Sequence, residues 1–341
     1  MKAQTGLAHP RDLARKIFPQ RRPECPHGVL WPEKWTYRDF LLPKTRQPQK
    51  PGVERQVQVA FEFRRKFSRE TWRTVDSTVD LYTIRGDLKM RTLVIANQKG
   101  GVGKTSICVH LAYHFADIGV RVCVIDLDHQ ANASRTLRDN ATLVHASQLF
   151  TDGGVERSAF EVERNLLVVT GDPGLVRLDQ MSLQEAGQRF RSALGTIADA
   201  GVEVCIVDTA PSLSVSMAAA LLGADFVLSP IELELYSILG IEKMVTTVRN
   251  LQQANPGLKF LGMVPSKVDT RKARQKSHLQ DLQNAYKKLV LPSVALRDSV
   301  AEALAESVPV WDMKKRAAKE AAKELRFLGG LVAKEMGVGA A

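Results

Sequence analysis

A glycine-rich stretch carries the residue types of a phosphate-binding loop. The run Asn-Gln-Lys-Gly-Gly-Val-Gly-Lys-Thr covers residues 97–105, between a short apolar run and an apolar pattern of helical period. Glycines let successive backbone N–H groups converge on one anion, and a helix N-terminus adds partial positive charge. The residues that we predict to bind a nucleotide's phosphates are Gly100, Gly101, Val102, Gly103, Lys104, Thr105 and Ser106.

Three side chains of this loop have separate chemical uses. Lys104 can neutralise the β- and γ-phosphates, and the Thr105 hydroxyl can join a Mg²⁺ shell. The general motif has a glycine six places before this lysine, where this chain has Gln98, and a second lysine, Lys99, follows instead. An additional cation suits a reaction whose transition state spreads negative charge over phosphoryl oxygens.

Carboxylates follow two predicted strands. Asp208 ends the apolar run 204–207, and Asp126 and Asp128 lie at the end of the apolar run 121–127. An aspartate at the carboxyl end of a parallel strand can hold the Mg²⁺ water shell beside Thr105. Two residues two places apart on a strand point the same way, here toward the phosphate crevice. From these positions we predict a magnesium site that includes Thr105 and Asp208.

Three motifs in order resemble the deviant Walker A ATPases of the ParA/MinD family. They are the loop 97–105, the run Asp-Leu-Asp-His-Gln-Ala-Asn at 126–132, and Asp-Thr-Ala-Pro-Ser at 208–212. The resemblance covers about 250 residues, from Met90 onward. The second motif departs from the family pattern, with His129 in place of proline and Ala131 in place of glycine. We interpret His129 as a surface polar residue.

The resemblance implies a mechanism. Lys99 would reach across a nucleotide-sandwich homodimer to the partner's ATP, Asp128 would orient or deprotonate the attacking water, and Asp126 would support the Mg²⁺ shell. Lys99, Lys104 and Asp128 are the expected catalytic residues. In this family, ATP favours a dimer that binds DNA non-specifically. Hydrolysis stimulated by a ParB-like centromere-binding partner resets the switch and moves plasmid, chromosome or mobile-element DNA.

The nucleotide base is the least determined part of the ligand. The run Ser-Lys-Val-Asp at 266–269 partly matches the guanine-reading tetrapeptide of G proteins. The same aspartate opens Asp-Thr-Arg at 269–271, which resembles ParA proteins, so we expect ATP rather than GTP.

Basic residues supply candidate DNA contacts of the sequence-independent, salt-sensitive kind. They form one run before a predicted helix and two positions near the last helices: Arg271, Lys272, Arg274, Lys276, Arg297 and Lys315.

Two alternatives to a partition ATPase stay open. One is a nucleotide-regulated transcriptional regulator that binds DNA through a basic N-terminal arm. The other is a MinD-like positioning ATPase on a membrane, which the glycine pair Gly329 and Gly330 in the last apolar segment disfavours.

Charge and composition divide the chain. The protein has 341 residues and a net charge of +11, and residues 1–90 hold 19 lysines and arginines against 10 acids. We predict a basic, proline-rich extension over 1–88 and an ATPase domain over 89–341. No apolar run reaches membrane-spanning length and the first 18 residues lack a signal peptide's apolar core, so we expect a cytoplasmic, nucleoid-associated protein.

Alternation of apolar runs with helical patterns predicts an α/β fold of the P-loop NTPase type, a mostly parallel twisted sheet with helices on both faces. Strands are expected at 93–96, 121–127, 166–170, 202–208, 225–229 and 260–265. Helices are expected at 105–117, 180–200, 213–222, 237–254 and 275–289, and over 299–337 with a break near 308–311.

Overall fold

A computed structural model describes residues 90–233, 237–269 and 271–339. The predicted basic extension over 1–88, and the arm that would make the protein a regulator, lie outside the described residues.

The core of the fold is a seven-stranded sheet in the order β3-β4-β2-β5-β1-β6-β7. Every pairing between its strands is parallel, which confirms the predicted sheet. The strands are β1 Arg91–Ile95, β2 Val122–Leu127, β3 Ala141–His145, β4 Leu166–Thr170, β5 Val204–Thr209, β6 Phe226–Ile231 and β7 Lys259–Pro265.

Eight α-helices lie in the described residues. They are α1 Lys104–Asp117, α2 Asn132–Thr136, α3 Leu183–Asp199, α4 Val215–Gly223, α5 Ser237–Ala254, α6 Ala273–Ala285, α7 Asp298–Glu306 and α8 Arg316–Met336. Among the described residues, none of the helices is apolar over a length that would cross a bilayer.

Helices cover both faces of the sheet, and its central strands are therefore buried on both sides. β2, β5 and β6 are buried at every residue. Alternate residues such as Val124 and Ile206 share one core cluster with α1 and α8. Residues of the other parity, such as Cys123 and Cys205, are also fully buried and face away from that cluster. The carboxyl ends of β2 and β5 therefore meet next to the start of α1.

The structure differs from the predicted elements where burial is partial. Strand β3 was not predicted, because it is an edge strand whose only fully buried residue is Val144. Helix α3 begins at Leu183 rather than at 180, since the Ser182 hydroxyl accepts a hydrogen bond from the Glu185 N–H and caps the helix. The predicted helix 275–289 begins earlier and ends at Ala285.

The last helix corrects one sequence argument. Gly329 and Gly330 do not interrupt α8, which runs unbroken through both. The absence of a side chain at Gly329 lets α8 approach the His114 ring on α1 closely, so that a methyl group there would collide with it. The apolar face of α8 is buried in the core cluster through residues such as Leu325 and Leu328. Gly329 therefore serves the packing of α8 on α1, whereas Gly330 is exposed and a Cβ atom there would have nothing within 4 Å. The apolar face of α8 is not available to a membrane.

His110 packs inside the protein next to this helix pair. Its Nδ1 atom lies 2.8 Å from the Ser106 carbonyl oxygen, and its Nε2 atom has no hydrogen-bond partner in the described part of the chain. Its ring meets the Trp311 ring edge-on at 5.9 Å. Burial lowers the pKa of His110 to about 4, because a charged imidazole is disfavoured there.

We expect His110 to make the protein sensitive to acid. The unfolded chain takes up a proton at this residue below its ordinary pKa of 6.5, whereas the folded chain does so only near 4. The free energy of unfolding should thus fall as the pH drops through this window, by up to roughly 3 kcal/mol from this group. We would measure the free energy of unfolding of wild type and His110→Leu by urea titration between pH 7 and pH 4. Over this range the value for wild type should fall by this amount more than the value for His110→Leu. The control Phe115→Leu, in the same helix and without a titrating group, should lose stability but follow the wild-type pH dependence. Parallel curves for His110→Leu and wild type would contradict the assignment.

Candidate functional site

The glycine loop lies between β1 and α1, as the sequence predicts. Gly101 and Gly103 have φ angles of 75° and 87°, a left-handed conformation that glycine adopts without the steric cost of a Cβ atom. Gly103 is the residue before α1, and Ser106 lies in the first turn of that helix. The N-terminus of α1 therefore lies at the open side of the loop. Phosphate groups commonly bind at such a helix N-terminus.

Neighbouring strand ends hold the loop in place. The Ser266 hydroxyl, after β7, donates a hydrogen bond to the carbonyl of buried Val102. The Asn97 side chain donates to the Pro230 carbonyl at 2.7 Å and accepts from the Lys99 N–H at 2.8 Å. These contacts reach β6 and β7, so the loop is fixed by the sheet and not by its own sequence alone.

Lys104 is a buried cation on the floor of the loop. It is 7% exposed, and its Nζ donates to the Lys99 carbonyl oxygen at 3.2 Å. Burial lowers its pKa, and the charges of Asp208 and Asp128 oppose that effect. Among the described residues, Lys104 Nζ makes no direct ion pair within 4 Å, and a phosphate in the loop would supply one.

Two of the predicted magnesium ligands are cross-strand neighbours. Asp126 of β2 lies opposite Asp208 of β5 in the sheet register, and both are fully buried. The Thr105 hydroxyl donates to Asp208 Oδ2 at 2.7 Å. Burial, with the nearby charge of Asp126, raises the pKa of Asp208 to about 7. A hydroxyl and two carboxylates that repel each other are a donor set that fits Mg²⁺.

Ser134 holds Asp126 from the following helix. Its hydroxyl and its N–H both donate to Asp126 Oδ2, at 2.7 Å and 2.9 Å. The same hydroxyl accepts from the Gly171 N–H at 2.9 Å, at the end of β4. Sequence reasoning missed both Ser134 and Gly171. A serine eight residues after an aspartate matches no known motif. Ser134 reaches Asp126 only because α2 folds back over the end of β2.

Asp128 is buried but is held only locally. Its Oδ1 accepts from the Gln130 N–H at 2.9 Å and lies 3.7 Å from His129 Nδ1. The His129 side chain is half exposed, as predicted. Ala131 adopts the left-handed conformation, with φ 53°, at the place where the family motif has glycine. An alanine there costs about 1 kcal/mol, so the departure strains the turn without changing its course.

Lys99 lies at the outer edge of the loop, apart from the buried acids. Its Nζ forms an ion pair with Glu232 Oε2 at 2.9 Å, and Lys267 Nζ lies 3.7 Å from the other oxygen of the same carboxylate. Glu232 follows β6 and was also missed, since it is distant from Lys99 in sequence. In this state the second lysine of the loop is paired within its own chain.

Asp269, the carboxylate that would read a guanine base, forms an ion pair with Arg271. Both oxygens of Asp269 accept from the Arg271 guanidinium, at 2.9 Å and 3.1 Å, and this holds the pKa of Asp269 below its ordinary value. An aspartate that reads guanine needs its oxygens for the base, so this pairing fits the expectation of ATP.

The predicted DNA contacts lie on separate elements and differ in their surroundings. Arg297 forms a two-pronged ion pair with Glu324 at 2.6 Å and 2.8 Å, and Lys315 pairs with Glu302 at 2.7 Å. Arg271 pairs with Asp269, and Lys272 lies 4.0 Å from the same carboxylate. Arg274 and Lys276 on α6 are exposed and have no acidic partner in the described ranges. These two are the most available to a phosphate backbone.

Known proteins resemble this chain over a range that includes the glycine loop and the three aspartates. A family model described as an AAA domain matches residues 90–260. The chain is similar to Protein IncC of Escherichia coli, with 51% identity over 74% of this chain and 71% of that protein. It is 30% identical to the chromosome partitioning protein ParA of Myxococcus xanthus, over 66% of this chain and 83% of that one. A crystal structure titled cobyrinic acid a,c-diamide synthase of Mycobacterium smegmatis, with bound ADP and magnesium, matches with a TM-score of 0.59 and 26% identity over 74% and 97% of the two chains.

We expect Gly171 to be intolerant of a side chain. A Cβ atom there would lie 2.5 Å from the Asp128 carbonyl oxygen and 3.2 Å from Asp126 Cγ. The substitution Gly171→Ala must therefore displace the segment that contains Asp126 and Asp128. Its free energy of unfolding in urea should fall by about 1–3 kcal/mol. The matched control is Gly195→Ala, in the middle of α3, where a Cβ atom would have nothing within 4 Å. This variant should gain up to about 1 kcal/mol from helix propensity. Equal effects of the two substitutions would show that the close approach at Gly171 is absent.

Proposed function

The chain belongs to the ParA/MinD family of P-loop ATPases, and we propose that it works as a ParA-type partition ATPase, a nucleotide-controlled switch for DNA segregation. The observation that carries the proposal is the meeting of Lys104, Thr105, Asp126, Asp128 and Asp208 at the carboxyl edge of one parallel sheet. A single buried edge thus holds an anion-binding loop, a cation site and a carboxylate near both.

ATP with Mg²⁺ is the proposed ligand. Backbone N–H groups of the loop and Lys104 would bind its phosphates, and Thr105 and Asp208 would hold the metal, with Asp126 supporting its shell. The metal would neutralise charge on the transferring phosphoryl group. Asp128 would orient or deprotonate the attacking water, and its looser attachment suits a residue that changes position between nucleotide states.

Lys99 is the proposed sensor of a second protomer. In an ATP-bound homodimer it would reach the partner's phosphates, which requires that its ion pair with Glu232 break. Exposed ion pairs of this kind contribute about 1 kcal/mol or less, so the exchange is readily offset by a triphosphate. Dimer formation would thereby be tied to ATP.

The ATP-bound dimer would bind DNA without regard to sequence, chiefly through Arg274 and Lys276 of α6. Arg271, Lys272, Arg297 and Lys315 are paired with acids of the chain, and each would contact a DNA phosphate only by exchanging that acid for it. A ParB-like partner bound at the DNA to be segregated would then stimulate hydrolysis and release the dimer.

We expect the two loop lysines to separate nucleotide binding from assembly. Lys104→Ala should lose binding of a fluorescent ATP analogue, because it removes the buried phosphate cation. Lys99→Ala should keep most of that affinity but remain monomeric with ATP in analytical ultracentrifugation, and should release no phosphate. Asp128→Ala should bind ATP and stay dimeric without turnover. A Lys99→Ala protein that still forms the ATP dimer, or an Asp128→Ala protein that hydrolyses ATP at the wild-type rate, would contradict these assignments.

Binding to a random-sequence DNA duplex should require ATP and weaken steeply with salt. If Arg274 and Lys276 contact phosphates, Arg274→Gln/Lys276→Gln should lower the slope of log K against log salt by about 2 for each protomer bound. The control Arg177→Gln/Lys319→Gln removes the same charge from exposed positions elsewhere and should change the slope much less. Binding that is indifferent to nucleotide would instead favour the regulator with a DNA-binding N-terminal arm.

A further inference from the structure

A cavity of about 370 Å³ lies beside the phosphate site and shares Thr105 with it. Its walls come from the start of α1, from α2 with the turn that follows it, and from the end of α7. The residues that line it include Thr105, Asn132, Arg135, Thr136, Arg138 and Leu304. Of these, only Thr105 belongs to the proposed ATP site, and none of the three aspartates lines the cavity.

The cavity is positively charged. Arg135 and Arg138 are both exposed, and neither forms an ion pair with an acid in the ranges that the structure describes. The Arg138 guanidinium donates only to the Arg135 carbonyl, at the long distance of 3.5 Å. Two guanidinium groups at one opening, both without a carboxylate, are a common arrangement for binding a carboxylate or phosphate.

The walls of the cavity are held in place without a ligand. The Tyr113 hydroxyl of α1 donates to the Ser307 carbonyl at the end of α7 with a distance of 3.0 Å. On the opposite side, the Thr136 hydroxyl donates to the Asn132 carbonyl within α2 at 3.2 Å. A pocket that is formed in advance binds its ligand without the entropic cost of ordering its walls.

We propose that this cavity, the Arg135–Arg138 pocket, binds an acidic peptide segment of a partner protein. Its volume is at the lower end of the range for ligand pockets, enough for one or two side chains and too small for duplex DNA. Leu304 provides an apolar wall for an aliphatic side chain, and no aromatic residue lines the cavity to stack a nucleotide base. The two arginines bind glutamate or aspartate carboxylates next to that apolar contact.

The pocket also has a route to the proposed chemistry. Thr105 in its wall donates to Asp208, and α2, which forms another wall, carries the Ser134 that holds Asp126. A segment seated between α2 and α7 therefore contacts elements that position both magnesium carboxylates. This coupling rests on the proposed ATPase function, whereas the binding of an acidic peptide does not.

The test uses the full chain and a defined probe. The probe is a fluorescein-labelled peptide, acetyl-Glu-Glu-Leu-Glu-Glu-amide, and its control has glutamine in place of every glutamate. Fluorescence anisotropy measures binding to wild type, to Arg135→Gln/Arg138→Gln and to Arg177→Gln, an exposed arginine of the segment after β4. The same proteins are titrated with a labelled 20-base-pair duplex. Phosphate release with ATP is measured with and without unlabelled peptide.

The proposal predicts that the acidic peptide binds wild type and Arg177→Gln alike, and that the double variant binds about tenfold more weakly. The glutamine peptide should bind none of them measurably, and the peptide should raise phosphate release in wild type but not in the double variant. Equal peptide binding by wild type and the double variant overturns the pocket. A selective loss of duplex binding in the double variant, with peptide binding unchanged, assigns the arginines to DNA and also overturns it. Peptide binding that depends on the arginines, in a protein that hydrolyses no ATP, keeps the pocket and rejects the proposed function.

Discussion

The repulsion between buried carboxylates is the constraint on which the site depends. Asp126 and Asp208 are opposite each other on adjacent strands, Asp128 follows two residues later, and Lys104 is the buried cation beside them. Such a cluster is stable only with hydrogen-bond donors, with protons or with a metal ion. The chain supplies donors through Thr105 and Ser134, and the pKa of Asp208 is nevertheless raised, first by its burial and then by the charge of Asp126. These hydrogen bonds hold the acids in place at the proposed cation site.

Helix α1 links this cluster to the rest of the fold. Its first residues, Lys104 and Thr105, face the phosphate loop and the acids, while its later residues pack in the core with α8. The close approach of α8 at His114 and the buried ring of His110 fix the position of the helix against the sheet. Core packing along the later part of the helix therefore sets the position of Lys104 and Thr105 at its start.

The three aspartates have similar sequence surroundings but different attachments. Asp126 is held by two donors from Ser134 and by the Asp128 N–H, Asp208 by Thr105, and Asp128 by a local turn. Two acids are fixed by distant elements, and the third belongs to a short segment with a strained alanine. This difference suits a division of labour in which the fixed acids bind metal and the less restrained one responds to the γ-phosphate. Lys99, paired with Glu232 outside the acid cluster, is a second group poised to change partners.

The sequence by itself determined the α/β class, the strand–loop–helix unit around the glycine loop and the position of the three aspartates at strand ends, because apolar period and glycine spacing are local properties. The continuous apolar runs 121–127 and 204–207 are also typical of strands that are buried on both faces, as β2 and β5 are in the structure. Only the tertiary structure decided that Ser134 holds Asp126 and in turn accepts from the Gly171 N–H, that Glu232 pairs with Lys99, and that Gly329 serves helix packing rather than helix breaking. The edge strand β3 was likewise invisible in sequence, because one buried side chain leaves no pattern. These contacts join residues that are distant along the chain, and chain spacing carries no record of which strand ends and helix faces the fold brings together.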